Sequence, residues 1–151
     1  MTKEELKESI LNQYPESVFE ETGEWLTLQV EPEAFLSMAM EFRSRDAWDF
    51  DYLFCLTCVD WKTHFTMVYF LRSLTHRHML TIKVKLDRNN PEIETVNEIW
   101  RTADFNEREV YDLFGVKFLH HHDLRRILLT DDWIGWPLRK DYDDPVNMIK
   151  L

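Results

Sequence analysis

The chain has little of what interrupts packed structure: three Gly and five Pro in 151 residues. With 44% hydrophobic and 14% aromatic residues, so little punctuation excludes low-complexity disorder and indicates a globular protein. Cysteine is limited to Cys55 and Cys58, which excludes a disulfide framework and fits a reduced compartment. Positive charge is in deficit, with 18 Lys and Arg against 28 Asp and Glu and a net charge of -10. A nucleic-acid partner is disfavoured, because affinity for phosphate backbones comes mostly from Lys and Arg. Long apolar runs are missing too. The longest, Tyr52 to Val59, is stopped by Asp51 and Asp60 and falls well short of the ~20 residues of a spanning helix. The start, Met1-Thr2-Lys3-Glu4-Glu5, lacks the basic-then-apolar pattern of a signal peptide, so the chain is expected to be cytosolic, or peripheral to a membrane through another protein.

What is present suffices for one core, since a domain of this length buries roughly 70% of the surface its unfolded chain exposes. Thr2-Lys3-Glu4-Glu5 has the form of a capping box, and Leu6, Ile10 and Leu11 predict a helix to about Tyr14-Pro15. Ser17 to Glu21 and Trp25 to Val30 read as strands around Gly23. Pro32 suits a first helical turn, and Phe35, Met38, Ala39 and Phe42 predict a second helix ending near Asp46. Three strands follow, Tyr52–Val59, Phe65–Arg72 and Met79–Asp87, with short connections that suit antiparallel neighbours. From Thr95, the apolar positions Val96, Ile99, Trp100, Ala103, Val110, Leu113 and Phe114 return to helical spacing up to Gly115, a C-cap. There is no internal repeat or linker. The predicted fold is α+β: one domain over 1–119 with a mostly antiparallel sheet and helices packed on one face. An irregular C-terminal tail, 120–151, follows and is expected to pack on a partner chain.

Cys55-x-x-Cys58 lies inside a predicted strand, where residues three apart face opposite sides, and no second Cys pair accompanies it, so core packing is the simpler reading. His120-His121-His122 has the look of a metal tract, with Asp123 as the nearby carboxylate, but consecutive residues seldom converge on one ion; His76-x-His78 has the same weakness. Glu107, in Glu107-Arg108-Glu109, falls on the apolar stripe if the helix is continuous from Thr95. If the helix restarts after Asp104, it is the third residue of a capping box. On the apolar stripe it needs a partner, with Arg125 or Arg126 as first choices. A general acid or base role lacks the usual company of a phosphate loop, nucleophile or metal triad. The tail is too apolar to float in water and too irregular for its own core, so it should pack on this domain or on another chain, and its Trp, Tyr and Arg, types enriched at interface hot spots, give weight to the second. It is expected to be poorly held in the isolated chain.

Three blocks in order carry a resemblance: Glu107-Arg108-Glu109-Val110-Tyr111-Asp112-Leu113-Phe114-Gly115, then Asp123-Leu124-Arg125-Arg126-Ile127-Leu128, then Gly135-Trp136-Pro137-Leu138-Arg139-Lys140-Asp141-Tyr142. With Asp51 to Phe54 and Cys58 to Trp61, they resemble the 30 kDa subunit of respiratory complex I, NADH-quinone oxidoreductase, from about Trp25 to Tyr142. His121 matches the family's histidine, whereas His120 and His122 stand where relatives often carry Gly and Pro. The resemblance implies an α+β subunit of the hydrophilic arm of a proton-translocating complex. It would bind no cofactor or metal itself, FMN, iron–sulfur clusters and quinone being carried by other subunits. It would pack against the neighbouring 49 kDa-type subunit, at the cytoplasmic face of the inner membrane or an organellar equivalent. Glu107, Arg108, Glu109, Asp112, Phe114, Gly115, His121, Asp123, Arg125 and Arg126 are then family-motif residues. Trp133, Trp136, Pro137, Leu138, Arg139, Lys140 and Tyr142 are the expected partner interface. Two alternatives remain: the equivalent subunit of an energy-converting hydrogenase or a ferredoxin- or F420-linked complex, and a free-standing hydrolase or redox enzyme using Glu107, His121 or Cys55.

Overall fold

A computed structural model describes residues 1–21 and 23–149. The N-terminal helix α1 (Lys3–Gln13) starts on a complete capping box between Thr2 and Glu5 and buries Leu6 and Ile10. Strands β1 (Val18–Glu20) and β2 (Leu26–Val30) pair antiparallel. Helix α2 (Pro32–Ser44) has Pro at its start and buries Phe35, Met38, Ala39 and Phe42, the four positions its spacing puts on one face. Burying Phe35 and Phe42 stabilises the fold by about 2–3 kcal/mol each. Strands β3 (Tyr52–Asp60), β4 (His64–Arg72) and β5 (Met79–Asp87) form an antiparallel meander.

The five strands lie in the order β1-β2-β5-β4-β3, and β2 runs parallel to β5, so the sheet is mixed. The register sets Leu28, Ile82, Tyr69 and Leu56 side by side, with Val30, Val84, Met67 and Cys58 in a neighbouring row, and all eight are buried in one core with residues of the helices. A bulge between Leu53 and Cys55 keeps Leu53 and Leu56 both on the core face although they are three residues apart. Cys55 therefore lies in register with Phe70 on the outer face while Cys58 is buried, so the two cysteines do point to opposite sides. Burial pushes the Cys58 thiol up to about 12, as for an inert core residue.

Beyond Asp87 one sheet is added and one expectation is corrected. A second, parallel sheet joins β6 (Glu92–Glu94) to β7 (Lys117–Leu119), so regular structure continues past Gly115. The helical spacing from Val96 to Trp100 belongs to turns instead, which bury Val96 and Trp100 and let the Trp100 indole N–H donate to the Phe50 carbonyl. Helix α3 (Ala103–Phe114) begins only at Ala103, after Thr102, whose side chain makes no cap, so neither a helix continuous from Thr95 nor a capping box at Asp104 is present. It ends at Gly115, whose φ of 76° is the left-handed C-cap expected there.

Candidate functional site

Helix α3 places three side chains that organise everything after it. Glu107 is fully buried. Its Oε1 accepts from the Val96 backbone N–H (2.8 Å) and its Oε2 from the Thr95 hydroxyl (2.5 Å). Arg125 and Arg126 do not reach it, contrary to expectation. Its ion-pair neighbour among the described residues is His121, with Nε2 3.8 Å from Oε2. Burial pushes the Glu107 carboxyl up to about 7, the Thr95 and Val96 bonds opposing and the Asp104 charge adding to the rise.

Asp112, also fully buried, has a richer setting. Its Oδ2 accepts from the backbone N–H groups of Ile127 (3.2 Å), Leu128 (2.7 Å) and Leu129 (2.9 Å), and Arg126 donates to Oδ1 (2.8 Å). Burial alone would raise this carboxyl, but Arg126 and the three N–H groups outweigh it and hold it below the usual carboxylate range. Besides Asp112, Arg126 serves the carbonyls of Asp112, Trp133 and Gly135. Arg108 is turned to the carbonyls of Arg125 and Arg126. Arg125 pairs with Asp123 at the surface, and Glu109 is exposed.

A second clip, which no sequence pattern announces, lies at the end of the sheet. Asp60 accepts from Arg88 through both oxygens (2.9 Å each) and from the backbone N–H groups of Lys62 (2.8 Å) and Lys140 (2.9 Å). The Arg88 guanidinium, helped by the Lys140 and Lys62 N–H groups, holds the Asp60 carboxyl well below the usual range despite burial. Arg88 also reaches Asp141 (2.7 Å), and Arg139 donates to the Phe114 carbonyl (2.6 Å) over the Phe65 ring. Trp136 stacks edge-on against Tyr111, lies beside Arg126 and covers Gly115, where a Cβ would come within 2.6 Å of its ring. Tyr142 covers Gly135 in the same way.

The tail to Asp141 is thus stitched to its own domain, against the expectation of a poorly held segment; Lys150 and Leu151 lie outside the described residues. Trp133 and Trp136 are half-buried against the domain and Phe114 and Pro137 are not exposed either, whereas Ile134 (88%), Leu138 (52%), Val146 (86%) and Ile149 (88%) face outward. Lys140 lies at the surface over Trp61. No described helix is long and apolar enough to cross a membrane.

Two of the three consecutive histidines do converge, but on Asp104 and not on Asp123. The rings of His121 and His122 stack 5.0 Å apart, with Nε2 of His121 3.0 Å from Asp104 Oδ1 and Nε2 of His122 3.4 Å from Oδ2. One ligand atom each from Asp104, His121 and His122 lies within 4.8 Å of the others. The set does not fit a metal: the Asp123 backbone N–H donates to His121 Nδ1 (3.1 Å), which puts the ring's hydrogen on Nε2 and makes that nitrogen a donor. His120 pairs with Glu94 at the surface and has φ 65°, a left-handed conformation that favours glycine.

A model of the family described as respiratory-chain NADH dehydrogenase, 30 Kd subunit, matches residues 28–146. The NADH-quinone oxidoreductase C subunit of Moorella thermoacetica is 40% identical over 117 residues, 76% of this chain and 78% of that one. The C subunit of Chloroherpeton thalassium is 46% identical over 112 residues, 73% of this chain and 47% of that one. The C/D subunit of Phocaeicola vulgatus is 43% identical over 103 residues, 67% of this chain and 20% of that one. The chain thus spans about half or less of the length of these last two relatives. Two solved structures share the fold. The trypsin-resistant fragment of Nqo5 matches with TM-score 0.70 at 27% identity, over 82% of this chain and all of that one. A chain of the membrane-bound sulfane sulfur reductase, an archaeal respiratory membrane complex, matches with TM-score 0.79 at 25% identity, over 93% of this chain and 85% of that one. By its motif blocks, its fold and the match over residues 28–146, the chain belongs to the 30 kDa subunit family of respiratory-chain NADH dehydrogenases.

Proposed function

We propose that the chain is a non-catalytic assembly subunit in the hydrophilic arm of a proton-translocating NADH:quinone oxidoreductase, packing against the 49 kDa-type subunit near the quinone site. FMN, iron–sulfur clusters and quinone are then carried by other subunits, and the chain sits peripherally at the cytoplasmic face, held through the complex. One observation carries this reading: the tail's backbone and its Trp, Arg and Asp side chains are fixed to the domain while Ile134, Leu138, Val146 and Ile149 are left facing outward. Ile134 and Leu138, which lie on the stitched stretch, have already met the ordering cost of binding, as an interface core requires. The relatives named as C/D subunits support a permanent partnership with the 49 kDa-type chain. The second reading, the equivalent subunit of a related membrane complex, is supported by the sulfane sulfur reductase structure.

Ile134→Glu and Leu138→Glu test the surface. Each should weaken capture of a 49 kDa-type partner by about thirtyfold, as for a ~2 kcal/mol anchor, with the melting temperature unchanged because both side chains are exposed. Normal capture by both variants would remove the tail from the interface. Mass spectrometry of chains co-purifying from native membranes separates the two readings: flavin- and NADH-binding subunits belong to the first, hydrogenase- or reductase-type subunits to the second.

A further inference from the structure

Alternation along β4 and β5 turns Thr66, Val68, Lys83 and Lys85 away from the core, with Thr66 opposite Lys85 and Val68 opposite Lys83. Together with Val59 and Trp61 they line a groove of about 360 Å³ on the outer face of the sheet. Trp61 is 56% exposed and yet fixed, for its indole N–H donates to the Thr66 hydroxyl (3.2 Å) and the His64 ring stacks on it at 6.4 Å. Three exposed lysines surround it: Lys62 in the β3–β4 hairpin, Lys85 across the strands from Thr66, and Lys140, whose Nζ lies 5.9 Å from the ring. None of their ammonium groups meets a carboxylate among the described residues. Glu20 is taken by Lys83, Asp60 and Asp141 by Arg88, and Asp87 accepts the Asn89 N–H; Glu31 lines the groove, but no lysine pairs with it. In a chain whose net charge is -10, this is a place with cations to spare. A tryptophan already held in position also loses little freedom on binding, and tryptophan is enriched among the residues that anchor interfaces.

We propose that this groove docks an acidic stretch of a partner protein, which lays an apolar side chain against Trp61, Val59 and Val68 and sets its carboxylates on Lys62, Lys85 and Lys140. Charge complementarity selects this occupant. Carboxylates spaced along an extended segment reach the lysines one by one and make charge-assisted bonds that the chain itself does not supply. A second copy of the chain, docked by the same patch across a two-fold axis, would set lysines against lysines. An anionic membrane surface would face the whole negative charge of the chain, whereas a segment meets only the groove. The proposal stands whichever chain the row of Ile134 and Leu138 meets.

The test compares the purified chain with the complex in native membranes under acetylation by an N-hydroxysuccinimide ester. Lys62 and Lys85 should react about tenfold more slowly in the complex. Zero-length carbodiimide coupling in the same membranes, read by mass spectrometry, should join Lys62 or Lys85 to an Asp or Glu of another subunit. In complexes carrying Lys85→Glu, Lys62 should regain most of its reactivity, while the purified variant melts as the natural chain does because Lys85 is exposed. Equal reactivity in chain and complex overturns the proposal, as does protection without coupling to an acid. Coupling through Lys140 alone overturns it too, since the tail surface would explain that result. Coupling to a second copy of this chain, or protection that vanishes when detergent removes the lipid, would name a different occupant and end the proposal. Should Lys85→Glu fail to enter the complex, the two measurements on the natural complex decide.

Discussion

Glu107 and Asp112 lie on one helix, both fully buried, yet they hold their neighbours in opposite ways. Asp112 gathers three consecutive backbone N–H groups and a guanidinium, and Asp60 at the end of β3 repeats the recipe with two N–H groups, one of them from the tail, and a bidentate Arg88. Both are charges whose lost hydration is replaced in full. Glu107 has two uncharged donors and a histidine beyond hydrogen-bond distance. Burial without a cation favours the neutral acid. Burial of a carboxylate therefore says little by itself; the count and charge of its donors decide whether it acts as a fixed anion or as a proton site.

The largest effect should come from removing a fixed anion. Asp112→Ala leaves Arg126 unpaired in a nearly closed site and three N–H groups unmatched, so the fold should lose about 3–5 kcal/mol by urea denaturation. Asp60→Asn should cost somewhat less, since Arg88 keeps Asp141 as a second partner. Both aspartates are depressed, so the stability they confer is present above the unfolded carboxylate pKa near 3.9 and is lost as pH falls through their folded values. A loss below ~1 kcal/mol for either variant would break the comparison.

Next in size is the contact between the tail and the end of α3. Gly115→Ala meets both a left-handed backbone and the Trp136 ring, and should cost about 2–3 kcal/mol. Trp136→Ala should cost about 2 kcal/mol of its own through the Tyr111 and Arg126 contacts. Together the two should lose less than their sum, because removing the ring removes the clash. Strict additivity would place Trp136 away from Gly115. Reduced thermal stability of Trp136→Ala would also run against the expectation, drawn from sequence, that this tryptophan serves a partner and leaves the domain unaffected.

Much of the architecture was legible. The apolar spacing of α2 and the alternation of β5 each report one local geometry, and Gly115 marked a real C-cap. Sequence spacing misled where a tertiary contact decided the outcome. Val96 and Trp100 are buried from turns, and β6 and β7 are three-residue strands whose partners lie about 25 residues away, too short for any periodicity to register. At the site, Glu107 is buried on the face of α3 that carries Ala103 and Val110, although the helix does not run from Thr95 as the stripe supposed, and its partners were not local. Thr95 and His121 reach it only once β6 and β7 pair, and Arg126 prefers Asp112 because the backbone there offers three more donors to the same carboxylate. Asp60 was legible only as the end of an apolar run; nothing local announced Arg88 or Lys140 as its partners.

The smallest effect should come from Glu107→Gln near pH 5. A carboxyl raised to about 7 in the folded chain is still protonated there, and glutamine can reproduce it, accepting from Val96 and donating to the Thr95 oxygen. The change should be within ~1 kcal/mol. The sign of the pH dependence is opposite to that of the aspartates. The folded value lies above the unfolded one, so between about pH 4.5 and 7 the native chain binds more protons than the unfolded chain, and stability falls as pH rises. A rise of this size corresponds to roughly 3 kcal/mol lost by pH 8, an upper figure because local opening admits water. Glu107→Gln removes that slope and should be the more stable protein at pH 8, while Asp112→Ala remains the less stable one at both pH values. Urea denaturation of the natural chain and both variants at pH 5 and pH 8 makes the measurement. If Glu107→Gln were as damaging as Asp112→Ala at pH 8, Glu107 would be a fixed anion like the other two, and the distinction drawn from its donors would fail.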